Sequence, residues 1–126
     1  GVDSTQGSEA AIEAARALAR STGAVVAVTG AVDYITDGER TATCGNGHLL
    51  MTRVTGMGCT ATAIIGACLA VERDPLTAAL HGLAVLGIAG ELAAERASGP
   101  GTMQVALYDA LANLDRETIE RRARVQ

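Results

Sequence analysis

The sequence predicts one α/β domain, a mostly parallel sheet with helices on both faces. Stripes of apolar residues at helical spacing alternate with short β-branched runs, the pattern of strands connected by helices. The run AVVAVTG, residues 24–30, shows no alternation of apolar and polar positions, which suits a strand buried on both faces of a parallel sheet. A glycine turn stands immediately before an apolar helix, where α/β folds often place a ligand loop. The 126 residues suffice for one core, and 48% apolar content argues against disorder.

The elements follow in order. Residues 4–21 set Ile12, Ala15, Leu18 and Ala19 on one helical stripe, with Glu13 and Arg16 paired three apart on the outer face. Thr22-Gly23 ends that helix with a C-terminal glycine cap. After the strand at 24–30, residues 33–44 read as two short strands around a turn at Asp37-Gly38. Gly56-Met57-Gly58 leads into a helix that runs to Arg73. Asp74-Pro75 breaks it and opens the next helix, with proline in a favourable first-turn position.

Residues 76–94 are almost long and apolar enough to span a bilayer. They also hold His81, Glu91 and three glycines between charged flanks, so a core helix of an α/β protein is expected. The stretch ASGPG, residues 97–101, ends it. Residues 102–113 and 116–124 are further helices, the last strongly charged and exposed. The chain shows no internal repeat and no low-complexity linker.

Composition excludes several functions. Two Tyr and no Phe or Trp leave almost nothing from which to build base-stacking platforms. The net charge is −4, and the ten basic residues, all Arg, are scattered or sit in the C-terminal tail. No nucleic-acid stripe is indicated. Three Cys without paired metal-type spacing argue for a reducing compartment, hence a cytoplasmic location. No charged segment followed by an apolar run opens the chain, so no secretion signal is expected, and no membrane partner.

The chemistry concentrates in VTGMGCTATAIIGACLA, residues 54–70. The first four N–H groups of a helix have no internal partner, and the helix dipole adds partial positive charge there. Gly56 and Gly58 remove side chains that would block an approaching anion. Gly56, Met57, Gly58 and Cys59 thus form a candidate anion cradle. The same residues also make a tight turn with a helix cap, and the motif alone leaves both readings open. Cys59 would lie in the first helical turn, where the dipole favours a thiolate, or else it is a small packing residue. Cys44 and Cys68 read as packing residues.

Thr29 ends the strand of VTG, where ligands sit in open parallel sheets, and Gly30 leaves room beside it. A threonine satisfying local backbone is the alternative. His48 and His81 have no partner at metal-ligand spacing and read as structural, and no metal site is expected within this segment.

The runs VTG-x-VD, NGH-x-LM-x-x-VTG-x-GC and GPG, with the leading GVDS, together resemble the hydroxyethylthiazole kinase family over nearly the whole chain. The resemblance implies the ribokinase-like fold, a three-layer sandwich. It implies phosphorylation of the hydroxyl of 4-methyl-5-(2-hydroxyethyl)thiazole by ATP with Mg2+, in thiamine salvage. It places Thr29 on ATP, Gly56 on the thiazole substrate, and Cys59 beside the substrate hydroxyl, where wider relatives carry an aspartate base. It implies a homotrimer with pockets between neighbouring subunits. Such a kinase is roughly twice this length, so residues 1–126 are expected to be a single domain or the C-terminal half of one, inactive alone. An ATP-contacting arginine and metal-binding carboxylates of the family have no counterpart here. Two other readings are another ribokinase-like small-alcohol kinase, such as one for hydroxymethylpyrimidine, and a non-catalytic nucleotide-binding or oligomerisation fragment. Cys59 in place of aspartate and the NGH segment disfavour the first. The set of Thr29, Gly56 and Cys59 disfavours the second.

Overall fold

A computed structural model describes residues 8–126. The order is α1 (Ser8–Thr22), β1 (Val26–Val28), β2 (Asp33–Thr36), β3 (Thr41–Cys44), a single 3-10 turn (Leu49–Arg53), α2 (Met57–Leu69), α3 (Pro75–Ala94), α4 (Pro100–Ala112) and α5 (Arg116–Arg122). The GVDS motif and the predicted start of the first helix, residues 4–7, lie outside the described residues.

Ala15 and Ala19 are the buried positions of α1, and Leu18, expected on the same stripe, is 52% exposed. The small alanines let α1 lie close to the sheet. Gly23 takes φ +70 and its N–H reaches the Ala19 carbonyl at 2.8 Å, closing the helix as expected.

The described strands form one sheet in the order β1-β2-β3, and both pairings are antiparallel. Among the described residues the AVVAVTG strand is at the edge of the sheet, and its one partner, β2, is antiparallel where a parallel neighbour was expected. Val26 and Val28 are only half-buried and Ala27 is exposed. The reason is connectivity. Only residues 29–32 separate β1 from β2, and a parallel partner needs a crossover of roughly a dozen residues. The C-terminal tail extends the other side of the sheet. Thr43 and Gln126 exchange backbone bonds of 2.8 and 3.0 Å, and the Gly45 N–H reaches the Arg124 carbonyl at 2.8 Å.

Alternation along β2 and β3 sorts the side chains into two layers. Ile35 pairs with Ala42, and Asp33 with Cys44, on the face toward α3. Thr41 lies on the other face, where the Arg16 guanidinium of α1 donates to its Oγ1 at 3.0 and 3.3 Å. The sheet is therefore sandwiched between α1 and α3, and α2 and α4 pack on α3.

Helix α3 is the centre of the core. Asp74 caps it, accepting from the Thr77 N–H at 3.3 Å and the Thr77 hydroxyl at 2.6 Å, and Pro75 opens the first turn. Proline holds Asp74 extended, at φ −85 and ψ 111. Helix α2 ends at Leu69 rather than Arg73, because the Ala70 and Val71 N–H groups turn to the carbonyls three residues back, Ala67 and Cys68, at 3.2 and 3.1 Å. By length and hydropathy α3 could cross a membrane, yet 67% of its most apolar stretch is buried inside the fold.

Glycines on α3 make its neighbours' approach possible. A Cβ at Gly82 would stand 2.7 Å from Ile65 Cγ1 and 2.9 Å from Ile65 Cα on α2. A Cβ at Gly87 would stand 2.7 Å from the Asn46 backbone and Cβ. Gly90 similarly admits the Met51 side chain of the 3-10 turn.

A polar network fastens the segment after β3 to this helix. Glu91 Oε1 accepts from Asn46 Nδ2 at 3.0 Å, from the Gly47 N–H at 2.9 Å and from the Arg124 guanidinium at 2.6 Å. Buried Asn46 also donates to the Arg122 carbonyl at 2.9 Å and accepts from the Arg124 N–H at 2.7 Å. Burial pushes the Glu91 carboxyl up, but the bonds from Gly47, Asn46 and Arg124 outweigh it and hold the group below its ordinary value of 4.5. Among the described residues no buried side-chain polar atom lacks a partner.

Two predictions follow from the packing around α3. Ala is a better helix former than Gly by about 1 kcal/mol, yet Gly87→Ala is expected to destabilise by about 1–3 kcal/mol, because the Asn46 backbone has to move. Urea unfolding measures it, and equal or higher stability would show that the Asn46 segment yields freely. For Glu91, a depressed folded-state pKa means stability present above the ordinary value and lost as pH falls through the folded value. Glu91→Gln is therefore expected to lower stability at pH 7 and to flatten its decline below pH 4.5, as read by thermal melts across pH. Parallel curves for the two proteins would exclude this contribution.

Candidate functional site

The turn before α2 is built from its anchors outward. His48 caps the 3-10 turn, its Nδ1 accepting from the Leu50 N–H at 3.1 Å, so the structural reading of this histidine holds. Val54 is buried just after that turn, and half-buried Met57 packs against the core. Between these two anchors the chain must reverse, and Gly56 does so at φ +94, a conformation that residues with a Cβ rarely adopt. Its carbonyl accepts the Thr60 N–H at 2.9 Å, the first helical bond of α2, and the Thr60 hydroxyl at 3.1 Å.

No side chain caps the N–H groups at this helix end. By contrast, Asp74 and Asp115 cap α3 and α5 with their carboxylates. A Cβ built on Gly56 or Gly58 would meet nothing within 4 Å. The site is thus an open, uncapped helix N-terminus with exposed Gly58 and exposed, free Cys59 on its first turn. Such an end can receive an oxyanion on its backbone N–H groups. Met57 belongs to the same turn but serves as its anchor in the core.

The other cysteines differ. Cys44 is fully buried and Cys68 partly so, and burial raises the pKa of both thiols. Cys59 is the exposed one of the three. His81 sits exposed on α3, at the rim of a groove lined by Ala84, Val85, Ile119 and Ala123.

Thr29 directly follows β1 and is exposed. It stands on a different element from the cradle, and among the described residues no hydrogen bond joins it to Gly56, Met57, Gly58 or Cys59. Four of the five candidate residues are consecutive at the start of α2, and Thr29 lies at the end of β1. Two surface hollows, the groove between α3 and α5 and a shallow one along α4, include none of the five.

Asp33, the last residue of the VTG-x-VD run, is given no role by the sequence alone. It opens β2, is 8% exposed, and its Oδ1 accepts from the Gly30 N–H at 2.9 Å. Burial raises its pKa, and the bond from Gly30 works against that rise. The sequence signal that could reveal it is an acid three residues after a loop glycine, a pattern in which the side chain closes the loop. Among the described residues no three His, Cys, Asp or Glu side chains gather as a metal-ligand set.

Comparison with known proteins shows the family. A family model described as the hydroxyethylthiazole kinase family matches residues 1–117. A hydroxyethylthiazole kinase of Granulibacter bethesdensis is 61% identical over 124 residues, covering 98% of this chain and 45% of that protein. One from Roseiflexus is 53% identical over 125 residues, covering 99% of this chain and 46% of that protein. The solved structure of hydroxyethylthiazole kinase from Pyrococcus horikoshii superposes with a TM-score of 0.87 at 44% identity, over 94% of this chain and 46% of that one. The chain therefore spans about half the length of the curated relatives it matches. The small sheet covered by helices on both faces is accordingly part of a ribokinase-like α/β fold. With a match over almost its whole length and this likeness in structure, the chain belongs to the hydroxyethylthiazole kinase family.

Proposed function

We propose that this chain carries the phosphoryl-transfer end of a hydroxyethylthiazole kinase, which moves the terminal phosphoryl group of ATP onto the hydroxyl of 4-methyl-5-(2-hydroxyethyl)thiazole in thiamine salvage. The observation that carries the reading is the uncapped N-terminus of α2, with Gly56 in the left-handed region and Cys59 exposed on the first turn. The relatives above share the thiazole kinase name, which favours the thiazole alcohol over hydroxymethylpyrimidine.

In this reading the work of the chain is electrostatic and positional. Phosphoryl transfer passes through a loose transition state with charge on the equatorial oxygens. The free N–H groups of Gly58 and Cys59, aided by the helix dipole, stabilise that charge. Gly56 leaves space for the thiazole alcohol, whose hydroxyl meets Cys59; the Cys59 thiolate takes the hydroxyl proton as the new O–P bond forms and the bond from the γ-phosphorus to the ADP oxygen breaks. Thr29 offers its hydroxyl to ATP. Magnesium, bound with ATP, would neutralise phosphate charge. The described residues present no ligand set that fits it. The assembly is a homotrimer, and the three free cysteines suit a reducing cytoplasm.

Two substitutions in the intact protein test the roles. Cys59→Ala removes the base and leaves the cradle, so kcat is expected to fall by about 10²–10⁴, with less loss if deprotonation comes late. Cys59→Asp, with a carboxylate of similar size, is expected to retain activity. Steady-state rates beside thermal melts give the answer, and a wild-type rate for Cys59→Ala would leave the residue a packing role only. Thr29→Ala is expected to raise KM for ATP several-fold, the effect of losing one hydrogen bond of about 0.5–1.5 kcal/mol, with KM for the thiazole alcohol unmoved. The reverse pattern would put Thr29 on the other substrate.

A further inference from the structure

We propose that Asp33 is a positioning residue for ATP: its carboxylate holds, through the Gly30 N–H, the loop that presents Thr29. This rests on the reading of Thr29 as an ATP contact and adds the group that keeps it in place.

The β1–β2 register ends at Val28 opposite Tyr34. Thr29 is the next residue, so no strand pairing holds it. Residues 29–32 are all exposed. Their side-chain tie is the 2.9 Å bond from the Gly30 N–H to Asp33 Oδ1. Asp33 is well suited as the fixed end of that tie. It lies on the central strand of the described sheet, paired across to Cys44, and is buried on the face toward α3. Movement of Gly30 moves the adjoining Thr29.

The choice of an acid carries a cost. Burial works against the charged form of Asp33, and one backbone N–H offsets only part of this. Elsewhere in the chain, exposed Asp37 and Asp115 accept backbone bonds at turns and caps without such burial. A destabilised group retained at the root of an exposed loop is the pattern expected where loop position matters to function.

The test uses the intact protein and four variants: Asp33→Ala, Asp33→Asn, Thr29→Ala and the double variant Thr29→Ala with Asp33→Ala. ATP Kd is read by titration calorimetry, and KM for ATP and for the thiazole alcohol by steady-state kinetics. Asp33→Ala is expected to weaken ATP about three- to ten-fold, with KM for the thiazole alcohol unchanged. Asp33→Asn keeps an acceptor oxygen for Gly30 and is expected to bind ATP like the parent. Because Asp33 acts through Thr29, the double variant is expected to be no weaker than Thr29→Ala alone. Weakened binding in Thr29→Ala beside unchanged binding in Asp33→Ala would overturn the role of Asp33 alone. So would multiplying effects in the double variant, or an Asn variant as weak as Ala. Unchanged ATP binding in Thr29→Ala would overturn the reading of Thr29 and this role with it. If Asp33→Ala fails to fold in a thermal melt, Asp33→Ser, too short to reach Gly30, takes its place with the same expectations.

Discussion

The close packing of α3 against everything around it is the constraint on which the described structure depends. This helix touches the sheet, α2, α4 and α5. Gly82 and Gly87 let the backbones of α2 and of the Asn46 segment come nearer than any larger residue would allow. The consequence reaches the candidate site by a short route. The Asn46 segment leads into the 3-10 turn, and that turn leads into Gly56. The position of the cradle is therefore set by how tightly α3 admits the chain before it.

Charge does a second part of this work. Glu91 gathers Asn46, Gly47 and Arg124 on one oxygen, so the segment after β3, the central helix and the C-terminal tail share one anchor. A carboxylate accepting several bonds in a half-buried position is stronger than an exposed ion pair, because the alternative is an unsatisfied charge away from water. The exposed Arg40–Asp74 pair is the opposite case. It joins the hairpin turn to the start of α3 at 2.8 Å, yet solvent screens it and its contribution is small.

The two parts of the candidate site are held in different ways. The cradle lies between two anchors, buried Val54 and half-buried Met57, and α2 continues from it. The Thr29 loop hangs from a strand end by one side-chain bond. In the proposed reading this suits the two roles, because charge stabilisation needs preorganisation while a substrate contact needs only a defined position.

Local chemistry in the sequence determined much of this by itself. Gly23 after α1, Asp74-Pro75 before α3, the Asp37-Gly38 turn and Gly56 before α2 were all legible, because each depends on backbone conformation over a few residues. The helix that begins at Met57 was legible for the same reason, and the joined motifs carried the family. Tertiary structure decided the rest. The antiparallel pairing of β1 came from a short connection and not from the composition of the strand. The tail pairing with β3 joins residues far apart in the chain. The burial of Asp33, and the division of the three thiols into buried and exposed, depend on what packs over each group. Such properties arise from contacts distant in sequence, and no local pattern of residue types encodes which surfaces will meet.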